Sequence, residues 1–148
     1  MAEKQKTIAK EVTVKGKGLH TGLEVTMTFK SAPENTGVRF QRIDLEENPI
    51  VHATGDNVVD TSRGTTLDEN GVRIGTIEHA MAAIAGLQID NMLIEIDAPE
   101  VPIMDGSAIE FYNELNKAGM KEQSADRKFY EIKERIEFSI PDKGIDIV

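Results

Sequence analysis

Apolar and polar side chains alternate through the opening part of the chain. Leu23, Val25, Met27 and Phe29 interleave with Glu24, Thr26 and Thr28, a period of two that predicts a strand with one buried face. Ile8, Val12 and Val14 predict a strand before it, and a glycine-rich loop, Lys15-Gly16-Lys17-Gly18-Leu19-His20-Thr21-Gly22, joins the two. A turn cluster over Ser31 to Gly37 leads to a further extended stretch, Val38 to Ile43, whose Val38 and Phe40 share a face. Ile50 to Ala53 and Asn57 to Asp60 are short apolar pieces broken by Gly55. Thr65 to Leu67 and Val72 to Ile74 flank Asn70-Gly71, a dipeptide suited to the tight turn of a hairpin.

The period then changes. Ile77, Ala80, Met81, Ile84 and Ala85 recur at helical spacing, with Thr76 as the candidate N-cap and Gly86 where the helix should stop. Asn91 to Ile96 predicts another strand, and Asp97 to Gly106, with its two prolines, predicts an ordered loop. Ser107 to Glu110 has the form of a capping box ahead of a second helix, with Ala108, Phe111, Tyr112 and Leu115 on one face and Gly119 at its end. Met120 to Lys128 is polar and aperiodic and predicts a linker. After it, Ile136, Phe138 and Ile140 alternate with polar neighbours, and Pro141-Asp142-Lys143-Gly144 turns the chain into a returning strand, Ile145 to Val148. This order of elements predicts an α+β fold: a two-layer sandwich with a mixed or mostly antiparallel sheet and two helices on one face.

Composition narrows the class. A length of 148 residues, 39% hydrophobic and 29% charged, suits one folded domain and neither a disordered tail nor a membrane protein. The absence of Cys excludes disulfides and thiolate metal sites. There is no run of 18 apolar residues, hence no transmembrane segment, and Met1 to Lys6 lacks a signal-peptide core, so a cytoplasmic location is the expectation. A net charge of -9 argues against nucleic acid as a partner, because that affinity comes chiefly from Lys and Arg on phosphates. Lys4, Lys6, Lys10, Lys15 and Lys17 do cluster, as a solvated strand pair or as a basic lip around a phosphate-bearing ligand.

Glu78-His79 brings a carboxylate and an imidazole together at a helix start. Side chains of helix neighbours project about 100° apart, so the pair shares one proton poorly, but the His can bind a metal while the Glu takes the proton of a water the metal has acidified. The competing reading is structural: Glu in a first turn complements the helix dipole. The helical metalloprotease signature is absent, since position 83 is Ala. His20 lies among three glycines that permit close backbone approach, as a binding loop or as an ordinary surface loop. His52 reads as structural. Thr61-Ser62-Arg63-Gly64-Thr65-Thr66 lacks the Gly-Lys-Ser/Thr ending of a phosphate loop. Asp105 either binds backbone amides of its own turn or points into a cleft.

Gly16 to Gly22, Thr76-Ile77-Glu78-His79 with Met81-Ala82-Ala83, Asp90-Asn91, and Pro102-Ile103-Met104-Asp105-Gly106-Ser107 read together as one set. From about Thr7 onward the chain resembles the amino-terminal half of the UDP-3-O-acyl-N-acetylglucosamine deacetylases, zinc amidases of lipid A biosynthesis in Gram-negative bacteria. The resemblance implies two similar β-α-α-β domains of the ribosomal protein S5 domain 2-like kind, with the zinc ion, Zn2+, between them. It places a first domain at residues 1–126 and the start of a second at 127–148. It implies His79 as a zinc ligand, Glu78 as the general base, His20 as a second catalytic-site residue and Asp105 on a loop beside the site. Asp60 to Thr65, with Thr61 and Ser62, would line the cleft for a UDP-sugar lipid precursor. The remaining ligands, a His and an Asp, and a second acid-base His would lie in the missing second domain. Arg42-Ile43-Asp44-Leu45-Glu46 also resembles versions fused to a 3-hydroxyacyl-[acyl-carrier-protein] dehydratase. These residues alone are therefore expected to be inactive. The rival reading is a non-enzymatic nucleic-acid-binding or interaction domain of the same sandwich shape.

Overall fold

A computed structural model describes residues 3–148. Met1 and Ala2, part of the segment read as lacking a signal-peptide core, lie outside the described residues. In chain order the strands are β1 (Lys4–Ile8), β2 (Val12–Lys17), β3 (Glu24–Ser31), β4 (Val38–Arg42), β5 (Ile50–His52), β6 (Val58–Asp60), β7 (Thr66–Glu69) and β8 (Val72–Ile74). Helix α1 (Glu78–Gly86), β9 (Met92–Ile96), α2 (Ile109–Ala118), β10 (Met120–Asp126), β11 (Phe138–Ile140) and β12 (Ile145–Ile147) follow. No helix among the described residues is long and apolar enough to cross a membrane.

The central sheet has the order β2-β3-β9-β4-β5, and only the β4–β9 pair is parallel. Its inner face carries Val14, Val25, Met27, Phe29, Phe40, Ile94 and Ile96, all buried against Ala80 and Ile84 of α1 and Phe111 and Leu115 of α2. Phe29 and Phe111 meet edge to face with ring centroids 6.3 Å apart, a contact worth about 0.5–1.5 kcal/mol beyond its buried area. The opposite face is polar and carries the Lys30–Glu95 pair at 2.7 Å. This is the α+β, two-layer arrangement that the order of elements predicts. Beside it, β6-β7-β8 form a small antiparallel sheet. Asn70 and Gly71 both have positive φ, 55° and 83°, which matches the turn expected of that dipeptide between β7 and β8.

Five local expectations are corrected. Ile8 and Val12 belong to different strands: β1 leaves the central sheet and pairs with β10, and Ala9 N–H bonds the Gly119 carbonyl at 2.9 Å. The supposed linker Met120 to Lys128 is therefore largely β10. Its pairing is set by polar partners, such as Lys4 with Asp126 at 2.6 Å, rather than by apolar alternation, and that hid it. Thr76 does not cap α1; Ile77 stands at that position, and the Thr76 hydroxyl goes elsewhere. Nor does the capping box form, because Ala108 is the N-cap of α2 and Ser107 Oγ instead accepts the Ile109 N–H at 3.1 Å. Leu23, assigned to a buried face, lies just before β3 and is exposed.

Asn91 locks the β1–β10 ribbon to the sandwich. It is buried, its side-chain carbonyl accepts the Thr36 and Gly37 amides, and its amide donates to Gln5 and Gln123, both at 2.8 Å. Each polar atom is satisfied, as burial requires. Arg127 adds a 2.9 Å ion pair to Asp90. The β11–β12 hairpin forms as the alternation predicts and pairs with itself, leaving Phe138 and Ile147 exposed.

Candidate functional site

Three segments converge at one end of the sandwich: the His20 loop between β2 and β3, the segment 60–66 between β6 and β7, and the turn leading into α1. The short hairpin β7–β8 delivers the chain to Gly75, whose N–H bonds Pro99 O at 2.9 Å while its carbonyl accepts Val101 N–H at 3.0 Å. That bridge brings the proline-rich loop after β9 alongside the start of α1. A cavity of about 410 Å³ opens there, with His20, Arg63, Gly64, Thr76, Pro99 and Glu100 among its walls.

Glu78 and His79 occupy the first turn of α1, both half-buried. Glu78 Oε2 accepts the Thr65 N–H at 2.8 Å. Glu78 Oε1 lies 3.9 Å from His79 Nε2, beyond hydrogen-bonding reach, as expected of helix neighbours. Oε1 is thus the oxygen without a backbone partner. His20 Nε2 donates to the Arg63 carbonyl at 3.2 Å, which places the ring over the loop whose next residue, Gly64, packs on Glu78.

Asp105 binds its own turn: its Oδ1 accepts the Ser107 hydroxyl at 2.8 Å and the Ser107 N–H at 2.9 Å. Those two bonds hold its carboxyl below the ordinary value, with a smaller contribution from nearby His79. Asp105 thus engages its own turn, the first of the two arrangements its sequence allows. Thr61 and Ser62 are exposed; Ser62 bonds Asp60 through both its N–H and its hydroxyl. From that segment Asp60, Arg63 and Gly64, rather than Thr61 and Ser62, line the cavity. His52 lies apart, with Nδ1 3.0 Å from Glu69.

Among the described residues no three His, Asp or Glu side chains gather into a group able to hold a metal ion. The donor chemistry at His79 nevertheless suits one ligand: a half-buried imidazole, with the carboxylate of Glu78 beside it. Glu100 was missed by sequence reasoning. It carries no motif of its own, and only its partners, 79–80 and 24 residues away in sequence, reveal it.

The model of the family described as LpxC, UDP-3-O-acyl N-acetylglycosamine deacetylase, matches residues 5–148. The chain belongs to this family. It is 50% identical over 145 residues to the bifunctional enzyme LpxC/FabZ of Bacteroides thetaiotaomicron, covering 98% of this chain and 32% of that one. Against the LpxC/FabZ of Chlorobaculum tepidum the identity is 47%, over 97% of this chain and 31% of the relative. With the UDP-3-O-acyl-N-acetylglucosamine deacetylase of Haemophilus influenzae it is 49% over 141 residues, 95% of this chain and 46% of the relative. The chain thus spans about a third to a half of the length of these curated relatives.

Proposed function

We propose that this chain supplies the amino-terminal part of a zinc-dependent deacetylase that hydrolyses the N-acetyl group of UDP-3-O-(3-hydroxyacyl)-N-acetylglucosamine in lipid A biosynthesis, in the cytoplasm of a Gram-negative bacterium. The observation that carries the reading is the family match across residues 5–148. In this proposal residues up to 126 form the first domain, residues 127–148 begin the second, and the second domain completes the site. The bifunctional relatives extend the proposal to a fused parent chain.

His79 would offer an imidazole nitrogen to zinc, and the remaining ligands would come from the second domain. When bound, zinc supplies a Lewis acid for the amide carbonyl and lowers the pKa of a water to about 7. Glu78 would serve as the general base through Oε1, since Oε2 accepts the Thr65 amide at 2.8 Å. That bond also fixes the carboxylate's orientation before substrate arrives. His20 is among the residues that line the cavity, suited to contacting substrate, and Thr61, Ser62 and Asp105 are the remaining substrate-side candidates.

The test uses the full-length, zinc-loaded protein. Incubated with UDP-3-O-(3-hydroxyacyl)-N-acetylglucosamine, it should release acetate and leave a free amine on the sugar, and a chelator should stop this. Zinc-loaded, folded protein that releases no acetate overturns the reading.

A further inference from the structure

Glu100 has no part in the mechanism above, yet it is only 3% exposed. A carboxylate buried to that degree stays ionised only if hydrogen bonds replace the water it has lost. Its Oε1 accepts the His20 N–H and the Thr76 hydroxyl, both at 3.0 Å. Its Oε2 accepts the Thr21 N–H and the Thr21 hydroxyl, both at 2.8 Å. Burial is the largest single influence and opposes ionisation, but these donors together outweigh it and hold the carboxyl below its ordinary value.

The donors come from two places. One is the glycine loop that carries His20; the other is Thr76, two residues before Glu78. Thr76 has φ 57°, a left-handed conformation that a β-branched residue adopts only when its surroundings impose it. The bond to Glu100 is one such constraint. The loop is equally committed: a Cβ at Gly18 would stand 2.5 Å from Glu100 Oε2 and 2.3 Å from Thr21 Oγ1, so the carboxylate has been admitted by leaving a side chain out. Glu100 is itself held by the backbone bridge of Pro99 and Val101 to Gly75.

We propose that Glu100 is a positioning residue whose carboxylate ties the His20 loop to the turn opening α1, and so sets where His20 stands relative to Glu78. The functional half of this inference rests on the deacetylase reading; the tie itself does not.

The experiment compares Glu100→Gln, His20→Ala and the double variant in the full-length protein. In Glu100→Gln an amide NH2 faces a donor and at least one bond is lost. Turnover should fall about 10- to 100-fold, the scale of a misplaced catalytic group, with KM and zinc content close to wild type. Because Glu100 acts through His20, the double variant should be no slower than His20→Ala within about 2-fold. Hydrogen exchange of the His20 and Thr21 amides should quicken about 10-fold or more, while β3 and β9 exchange as before. Multiplying losses in the double variant, or unchanged exchange at His20 and Thr21, overturns the proposal. If the wild-type protein releases no acetate, the deacetylase reading alone fails and exchange still decides the tie. Should Glu100→Gln not fold, Thr76→Val removes one hydroxyl at a site already shaped for a branched side chain; a loss in turnover that vanishes in the His20→Ala background supports the proposal, and wild-type turnover overturns it.

Discussion

The carboxylate of Glu78 faces the bare α-carbon of Gly64. A methyl group built on residue 64 would stand 3.3 Å from Oε1 and 3.7 Å from Oε2, while the next amide, that of Thr65, already donates to Oε2 at 2.8 Å. Gly64 also has φ 153°, a conformation that L side chains rarely adopt. Two independent demands thus fall on one position: space for the carboxylate and a backbone angle that lets the following N–H reach it. In the full-length protein Gly64→Ala is expected to displace Oε1 and lower turnover about 10- to 100-fold with the fold retained. Steady-state kinetics beside a circular dichroism melt checks this, and an unchanged turnover would show that the Glu78 setting tolerates the methyl group.

Glu78→Gln is expected to keep zinc and lose roughly 10² to 10⁴ in turnover, the usual worth of a positioned general base. His79→Ala should lose the metal as well. Metal analysis of both purified variants alongside acetate release separates the two roles; full activity of Glu78→Gln would remove it from the mechanism.

For His20→Ala a smaller defect than for Glu78→Gln is expected, with zinc content unchanged. Its ring bonds a loop carbonyl and lies on an exposed glycine loop, a position suited to contacting substrate rather than holding an ion. Zinc depletion equal to that of His79→Ala would contradict this.

Residues 1–148 by themselves are expected to fold but to bind zinc weakly and release no acetate. A catalytic zinc site needs about three protein ligands, and no such group forms among the described residues. Calorimetric zinc titration of this polypeptide is the direct measurement; stoichiometric, tight zinc together with turnover would sink the expectation.

Acid should expose the Arg42–Asp44 pair. Arg42 is buried and grips Asp44 with Nε and Nη2 at 2.8 and 2.7 Å, and this bonding, despite partial burial, holds the Asp44 carboxyl below its ordinary value. A carboxyl with a lowered folded pKa contributes stability above its unfolded value, near 3.9, and loses it as pH falls through the folded value. Asp44→Asn should therefore cost about 1–3 kcal/mol at neutral pH, less than a fully buried pair because the Asp44 side chain is 29% exposed. The gap from wild type should close in acid, as denaturation at a series of pH values would reveal. A gap that is constant with pH would mean the charge contributes nothing.

Local patterns carried most of the sandwich. The alternation along β3, the Asn70-Gly71 turn and the helical spacing of α1 and α2 are each determined by residues within a few positions of one another, so they were legible from the sequence, as was the adjacency of Glu78 and His79. The tertiary structure decided what depends on distant partners. Strand β10 has no apolar period and exists because β1 lies opposite it, and Thr76 leaves its capping role for Glu100. Glu100 itself is an unremarked acid in a proline-rich stretch until the fold sets His20, Thr21 and Thr76 around it. Hydrophobic periodicity records which face of an element is buried; it holds no record of which buried polar atom satisfies which, and that matching is made only when the chain closes on itself.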